Sequence, residues 1–412
     1  MIASLMLSLR KVLTNLSLLL IGTFSALAIV EGLTRIFIAP PENINVVKVD
    51  GIPHGNQQSC CQYNPWVGYY GVPLKSTPKF VHNSLGLRTG EISDIKPAGT
   101  ERVLLLGDSQ TWGLNVTDQQ TISAYMKHLG REANLSLEPI PLAQIGYSTD
   151  QQLLLLLLIG KKLKPDYVVL VVFEDNDFNE IMTDNPFGGF KPRFIFHKSK
   201  FCLSGVPVPM ARGWSQPQLG AILRMTNPDQ SDSTNLFSSV LQHSRFVSFI
   251  LNQRLSFWLG KTLEKLGLWN HHDPSNLAHD RDILRRELDC ILEGEKVTGE
   301  RTTPWQVFEK LFLLIKKETD ELRVPLILAV KPHQLKYLEG SVGPYYQQLL
   351  DLAARTHTPF VDVSSLAKQK GISNEDLFFP RDAHFKPRGN ELIAEGIISN
   401  ILSLRQQRAN DE

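Results

Sequence analysis

The pattern of apolar and polar positions changes character several times along the chain. Val12 to Val30 carries no charge and is strongly apolar. Its 19 residues suit the roughly 20 that cross a bilayer as a helix. Arg10 and Lys11 lie just before it, and positive residues tend to stay cytoplasmic, so the rest of the chain is expected on the exported side. The run is longer than the apolar part of a signal peptide, about 7–15 residues, and no small-x-small cleavage site is obvious before Glu31. An uncleaved single-pass anchor over 1–38 is therefore expected. Residues 39–100 are rich in Pro, Gly, Asn and Tyr without a sustained period, which predicts an extended lead-in wrapping the domain that follows.

From 101 onward short apolar runs alternate with helical spacing. Val103–Leu106, Leu137–Leu142, Tyr167–Phe173, Pro325–Val330 and Phe360–Val363 read as strands. Ile122–Ala133 has helical spacing, and a helix from Ser148 to Lys162 starts at a capping box of Ser148 and Gln151. The Leu153–Ile159 run is too short to span a membrane and predicts a helix buried under the sheet. Thr303, Pro304 and Gln306 combine an N-cap, a proline at the first helical position and a capping box. Trp305, Phe308, Leu311, Phe312 and Ile315 then form one helix face, and Asn390–Leu402 closes the chain as an amphipathic helix. Strands alternating with helices imply a parallel sheet covered on both faces. Residues 185–300 break the rhythm with Pro-rich loops and polar amphipathic segments such as Arg254–Leu266 and Asp280–Leu292, which predicts an insertion forming a helical cap.

Composition narrows the function. The net charge of +1 gives no broad field for nucleic acid. No Cys-x-x-Cys occurs among Cys60, Cys61, Cys202 and Cys290, so a zinc ribbon or redox motif is unsupported. Adjacent Cys60 and Cys61 are not expected to pair with each other. His271, His272, Asp273, His279 and Asp280 lack metal-ligand spacing and read as solvated loop. Asn15, Asn115 and Asn134 head glycosylation sequons, which matter only in a eukaryotic source.

In open α/β sheets, sites form outside the carboxyl ends of the strands. Four stretches near such ends carry polar groups. Gly107-Asp108-Ser109 follows a strand, so a hydroxyl and nearby N–H groups can face a reacting carbonyl. Gly146, before a helix, lets a backbone N–H approach a ligand. Asn176 lies just past Tyr167–Phe173 and can donate to developing negative charge. Asp382-Ala383-His384 supplies an imidazole base beside a carboxylate that orients it. Nucleophile, oxyanion donors and base thus appear in order along one α/β pattern.

That order resembles the SGNH (Gly-Asp-Ser-Leu) hydrolase superfamily. Leu-Leu-Leu-Gly-Asp-Ser-Gln-Thr-Trp-Gly at 104–113 is similar to its first block, Gly146 to the second-block glycine, Asn176 to the third-block asparagine, and Asp382 with His384 to the last block. The resemblance covers roughly 100–184 and 303–405, and Asn83-Ser84-Leu85-Gly86-Leu87-Arg88 is similar to a segment preceding the first block in membrane-anchored members. Three departures stand out. Asp382 is two residues before His384 rather than three, as in acetyltransferase-like members that modify exopolysaccharides. Gln110 stands where Leu is usual, and Pro141 or Leu142 stands where the second block usually begins with Asn.

The resemblance implies a flavodoxin-like three-layer α/β/α sandwich of about five parallel strands over 101–405. It implies Ser109 as nucleophile, His384 as base, Asp382 as its orienting acid, and Ser109, Gly146 and Asn176 as the oxyanion hole. The expected activity is cleavage of O-acyl esters of envelope glycans or lipids through an acyl-serine, with no metal or organic cofactor. An O-acetyltransferase using the same residues and a non-catalytic envelope scaffold are the rivals.

Overall fold

The computed structural model describes residues 60–174, 176–184, 191–208, 277–294, 297–380 and 382–411, with scattered helical positions between Asn15 and Gly32. Two short strands in the lead-in, β1 (Cys61–Asn64) and β2 (Gly68–Gly71), pair antiparallel. The domain proper begins with β3 (Glu101–Gly107), the one-turn helix α1 (Ser109–Trp112) and α2 (Ile122–Glu132). Then come β4 (Leu137–Ala143), α3 (Thr149–Leu158), β5 (Tyr167–Phe173) and the short α4 (Asp177–Glu180). The expected insertion contributes β6 (Arg193–His197), β7 (Lys200–Val206), α5 (Leu277–Glu287) and β8 (Ile291–Glu293). The second half supplies α6 (Pro304–Glu321), β9 (Leu326–Lys331), α7 (Gln334–Leu338) and α8 (Tyr346–Arg355). It ends with β10 (Phe360–Asp362), α9 (Val363–Gln369), α10 (Asn374–Leu377) and α11 (Pro387–Asp411).

Strands β3, β4, β5, β9 and β10 form one parallel sheet in the order β10-β9-β5-β3-β4. Numbered within the sheet this is 2-1-3-4-5, the flavodoxin-like order, so the five-stranded expectation holds. The strands are buried on both faces and therefore read as unbroken apolar runs; every residue of β5 is buried. One face, through Val103, Leu105, Val169, Val171, Ile327 and Ala329, packs on Ile122 and Met126 of α2 and on Leu392, Ile393 and Ile397 of α11. The other carries α3, with α5 and α6 against it. All ten residues of α3 are buried, which accounts for its unbroken leucines. Both capping boxes, at Ser148 with Gln151 and at Thr303 with Gln306, are present.

The described part of the insertion holds a three-stranded sheet, β6-β7-β8, which was not expected, beside the helix α5; residues 209–276 lie outside the described residues. Lys198 and Ser199 both have positive φ, at 49° and 62°, which makes the tight two-residue hairpin turn between β6 and β7. The helix expected over Asp280–Leu292 stops at Glu287 and gives way to β8. Cys202 and Cys290 form a disulfide, which ties β7 to the residue before β8. Cys60 and Cys61 are paired with each other, against expectation, with their Cα atoms 3.8 Å apart across one peptide. Arg254–Leu266 lies outside the described residues.

The chain divides into two compact units, Met1–Ile44 with Arg212–His272, and Asn45–Ala211 with Asp273–Glu412. In the first, Thr23 Oγ1 donates to the Leu19 carbonyl one helical turn back, and Leu19 and Ile29 are exposed. The anchor expected over Val12–Val30 lies largely outside the described residues. Among the described residues no helix is long and apolar enough to cross a membrane.

Arg88 is one of the side chains that fasten the lead-in to the domain. Arg88 is 4% exposed. It donates to Asp118 at 2.7 Å and to the carbonyls of Trp112, Gly113, Lys79 and Val116. A lysine cannot present this fork of donors. Arg88→Lys is therefore expected to lower stability by about 2–4 kcal/mol, as for breaking a largely buried charged contact. Urea denaturation checks this, and a loss below about 1 kcal/mol would show that the fork is dispensable.

Candidate active site

The site starts where β3 stops. An ideal Cβ on Gly107 would lie 2.0 Å from Thr111 Oγ1, so only glycine lets the strand turn this sharply. Asp108 then caps α1, its Oδ1 accepting from the Gln110 N–H at 2.8 Å. Ser109 is thereby the first residue of the helix, beyond the carboxyl end of β3. In the sheet β3 lies between β4 and β5, where the strand order reverses, and that switch point is where crevices open in such folds.

His384 arrives from 275 residues away, with Nε2 2.8 Å from Ser109 Oγ. Its Nδ1 lies 2.5 Å from Asp382 Oδ1, which also accepts the His384 backbone N–H at 3.0 Å. The structure brings Asp382 and His384 together. A turn in which one carboxylate oxygen receives both N–H groups brings the two side chains together. Asp376 takes no part here: its carboxylate accepts from Ser373 Oγ at 2.7 Å, at the start of α10. Burial would raise the Asp382 carboxyl, yet its hydrogen bonds with His384 and the nearby positive charges outweigh burial and hold it below its ordinary value. An ionised Asp382 keeps the ring proton on Nδ1 and leaves the Nε2 lone pair for the serine hydroxyl.

The loop carrying this pair is gripped from several elements. Gln334 Nε2 donates to the Asp382 carbonyl at 3.2 Å and Lys331 Nζ to the Ala383 carbonyl at 2.6 Å. Gln110 Oε1 accepts the Phe385 N–H at 3.1 Å. Lys331 is fully buried, its ammonium 3.6 Å from the centre of the Phe173 ring and 4.6 Å from that of Phe385. Aromatic faces of this kind attract a desolvated cation.

The expected oxyanion donors stand on the neighbouring loops. Gly146 follows β4 with φ +73°, a conformation that favours glycine. Tyr69 from the lead-in donates to the Ile145 carbonyl at 2.8 Å and so holds this loop. Asn176 follows β5, its Nδ2 donating to Glu180 Oε1 at 3.1 Å and to Asp108 Oδ2 at 3.4 Å. Ser109 Oγ is also 3.4 Å from Asp108 Oδ2, so the amide and the hydroxyl flank a single oxygen.

Beneath lies a group of acids that sequence reasoning missed. Asp108, Asp150, Asp177 and Glu180 are all buried, and among the described residues Lys191, also buried, is the one cation paired with any of them, through Asp150. Burial, then the Asp108 charge, pushes Asp177 well up and Glu180 from 4.5 to about 8. No local period marks these residues; the one signal in the sequence is that Asp177 adjoins Asn176. Of the residues weighed for metal, His271, His272 and Asp273 lie outside the described residues. Glu287 and Glu318 come together elsewhere, but Lys161 already bridges them at 2.9 and 2.7 Å.

Neither a family model nor a curated protein matches the chain. Solved structures do. The lipase/acylhydrolase from Enterococcus faecalis is 13% identical, covering 73% of this chain and 95% of its own, with a TM-score of 0.36. The psychrotrophic esterase EstA from Pseudoalteromonas sp. is 8% identical, covering 74% and 99%, with a TM-score of 0.35. An acetyl xylan esterase is 13% identical, covering 73% and 99%, with a TM-score of 0.35. At such identities and scores the likeness decides nothing about activity, which must be read from the site.

Glu180 makes the acids beneath the site measurable. Folded, it keeps its proton up to about pH 8; unfolded, it loses it near 4.5. Between those values the folded state binds the extra proton, so stability is fully present below the lower pH and is lost as pH rises through the upper one. Thermal unfolding from pH 5 to pH 8 should therefore show a falling Tm that is flatter in Glu180→Gln. Parallel curves for the two proteins would place the titration elsewhere.

Proposed function

We propose that this chain is a serine esterase of the SGNH type, acting on O-acyl esters through an acyl-Ser109 intermediate. The observation that carries the reading is the unbroken hydrogen-bonded run from Ser109 Oγ through His384 to Asp382. A non-catalytic scaffold has no need of these three groups in register at a switch point. His384 Nε2 takes the serine proton as Oγ attacks the ester carbonyl. The Ser109 and Gly146 N–H groups and the Asn176 amide hold the oxyanion, the amide giving up its long contact with Asp108. Collapse expels the alcohol, which takes the proton from His384, and water then attacks the acyl-serine with His384 again as base. A sugar hydroxyl in place of water makes the same site an O-acyltransferase. The two-residue spacing of Asp382 and His384 favours keeping that second reading, and added acceptor glycans distinguish the two in burst kinetics.

The site works without a metal in this scheme. The substrate class we infer is an O-acyl group on an envelope glycan or lipid, with the enzyme tethered by its N-terminus and facing the exported side. Arg10 and Lys11 before Val12–Val30 support the orientation. The Cys202–Cys290 disulfide supports an oxidising compartment. A reporter fused after Glu412 should be active only outside the cytoplasm, and cytoplasmic activity would overturn the topology.

A fluorophosphonate probe should modify Ser109, identified by mass spectrometry of the labelled peptide. Ser109→Ala and His384→Ala should each lower turnover by at least about 10³-fold, and the double variant should be little worse, since the two act as a unit. Asp382→Asn should cost less than either. Labelling at another serine would end the assignment.

A further inference from the structure

Asp382 uses one carboxylate oxygen for His384, and the other is not left to water. Asn115 Nδ2 donates to Asp382 Oδ2 at 2.6 Å. We propose that Asn115 is a fourth, positioning member of the catalytic relay, holding Asp382 so that its first oxygen stays on the imidazole. The inference rests on the esterase reading above and deepens it.

Two further observations fit the role. Asn115 sits at φ +68°, a left-handed conformation that asparagine tolerates far better than most side-chain-bearing residues. It lies on the turn leaving α1, the helix that begins with Ser109. That turn is anchored from both sides: the Leu114 N–H donates to the Ser109 carbonyl at 2.9 Å, and Arg88 binds the carbonyls of Gly113 and Val116. The segment that presents the nucleophile thus also presents the group that holds the acid. The hydrogen-bonded circuit runs from Ser109 to His384, to Asp382, to Asn115, and returns along the backbone to Ser109. Asp382 is about one-third exposed, so without the amide its carboxylate is free to rotate toward solvent. The charged groups facing it are His384, on its own loop, and Lys331, from the end of β9.

The test uses the full chain with p-nitrophenyl acetate as the probe ester. Asn115→Gly keeps the left-handed turn and removes only the amide. It should lower kcat about tenfold, with KM within twofold and Tm unchanged, the scale of one partly exposed charge-assisted hydrogen bond. Asn115→Asp sets a second carboxylate against Asp382 Oδ2 in place of a donor, so at neutral pH, where His384 can act as base, it should lower kcat further than Asn115→Gly does. A third readout needs no turnover: the downfield resonance of the proton between His384 Nδ1 and Asp382 should broaden or move in Asn115→Gly. Unchanged kcat in Asn115→Gly, an Asn115→Asp variant no slower than Asn115→Gly at neutral pH, or an unmoved resonance would overturn the positioning role. Failure of the probe to modify Ser109 in the unaltered protein strikes instead at the esterase reading, and the resonance still decides the contact.

Discussion

Strand β3 must become helix α1 between Gly107 and Ser109, and the rest of the site follows from that turn. Thr111 occupies the space where a side chain at 107 would go. The turn swings Asp108 inward to cap the helix, where it is fully buried. A buried carboxylate must be answered by donors or charge. Asn176 supplies a donor, and the positive charge near His384 and Lys331 favours the ionised form against burial. Burial, and then the negative charge of Asp108, makes ionisation costly for Asp177 and Glu180, which are pushed upward. One tight turn therefore presents Ser109 and also places the Asp108 charge that adds to burial in raising the acids beneath it.

Much of the fold was legible because its signals are local. The apolar run Tyr167–Phe173 is a strand over the same residues, since a central parallel strand has no polar face to show. The capping boxes at Ser148 and Thr303 mark helix starts for the same reason: donor and acceptor are three residues apart. Ser109, Asp382 and His384 were legible only as an ordered set, each weak by itself, and the geometry brings those three together. The β6–β7 hairpin was not legible, because Lys198 and Ser199 lack the Asn-Gly signature that such a turn usually carries. Asn115, Lys191 and Glu180 were missed because what matters about them is a partner far away in the chain, and no spacing encodes it.

The lead-in belongs to this construction too. Asn83 folds its own segment, its Oδ1 accepting the Leu85 and Leu87 N–H groups at 3.0 Å, and so delivers Arg88 to the end of α1. Gly71 and Gly86 meet with no room for a side chain: a Cβ on Gly71 would lie 1.9 Å from the Gly86 carbonyl oxygen. Tyr69, just before that contact, holds the loop of Gly146 through Ile145. Residues with no chemistry of their own thus set the positions of Ser109 and Gly146.

Two of the three departures from the motif, Gln110 and the two-residue Asp382–His384 spacing, meet at one loop. With Asp382 only two residues from His384, the turn that joins them is short; the Asp382 N–H donates to the Phe379 carbonyl and the Phe379 N–H to the His384 carbonyl. The Ala383 carbonyl and the Phe385 N–H flank the base, and both face outward from that turn. Gln110 meets the second with its Oε1, while Lys331 meets the first. Leucine, the usual residue after the nucleophile, has no acceptor for the Phe385 N–H, and a buried N–H left unpaired costs about 1–3 kcal/mol. Gln110, beside Ser109, therefore carries part of the loop that places His384.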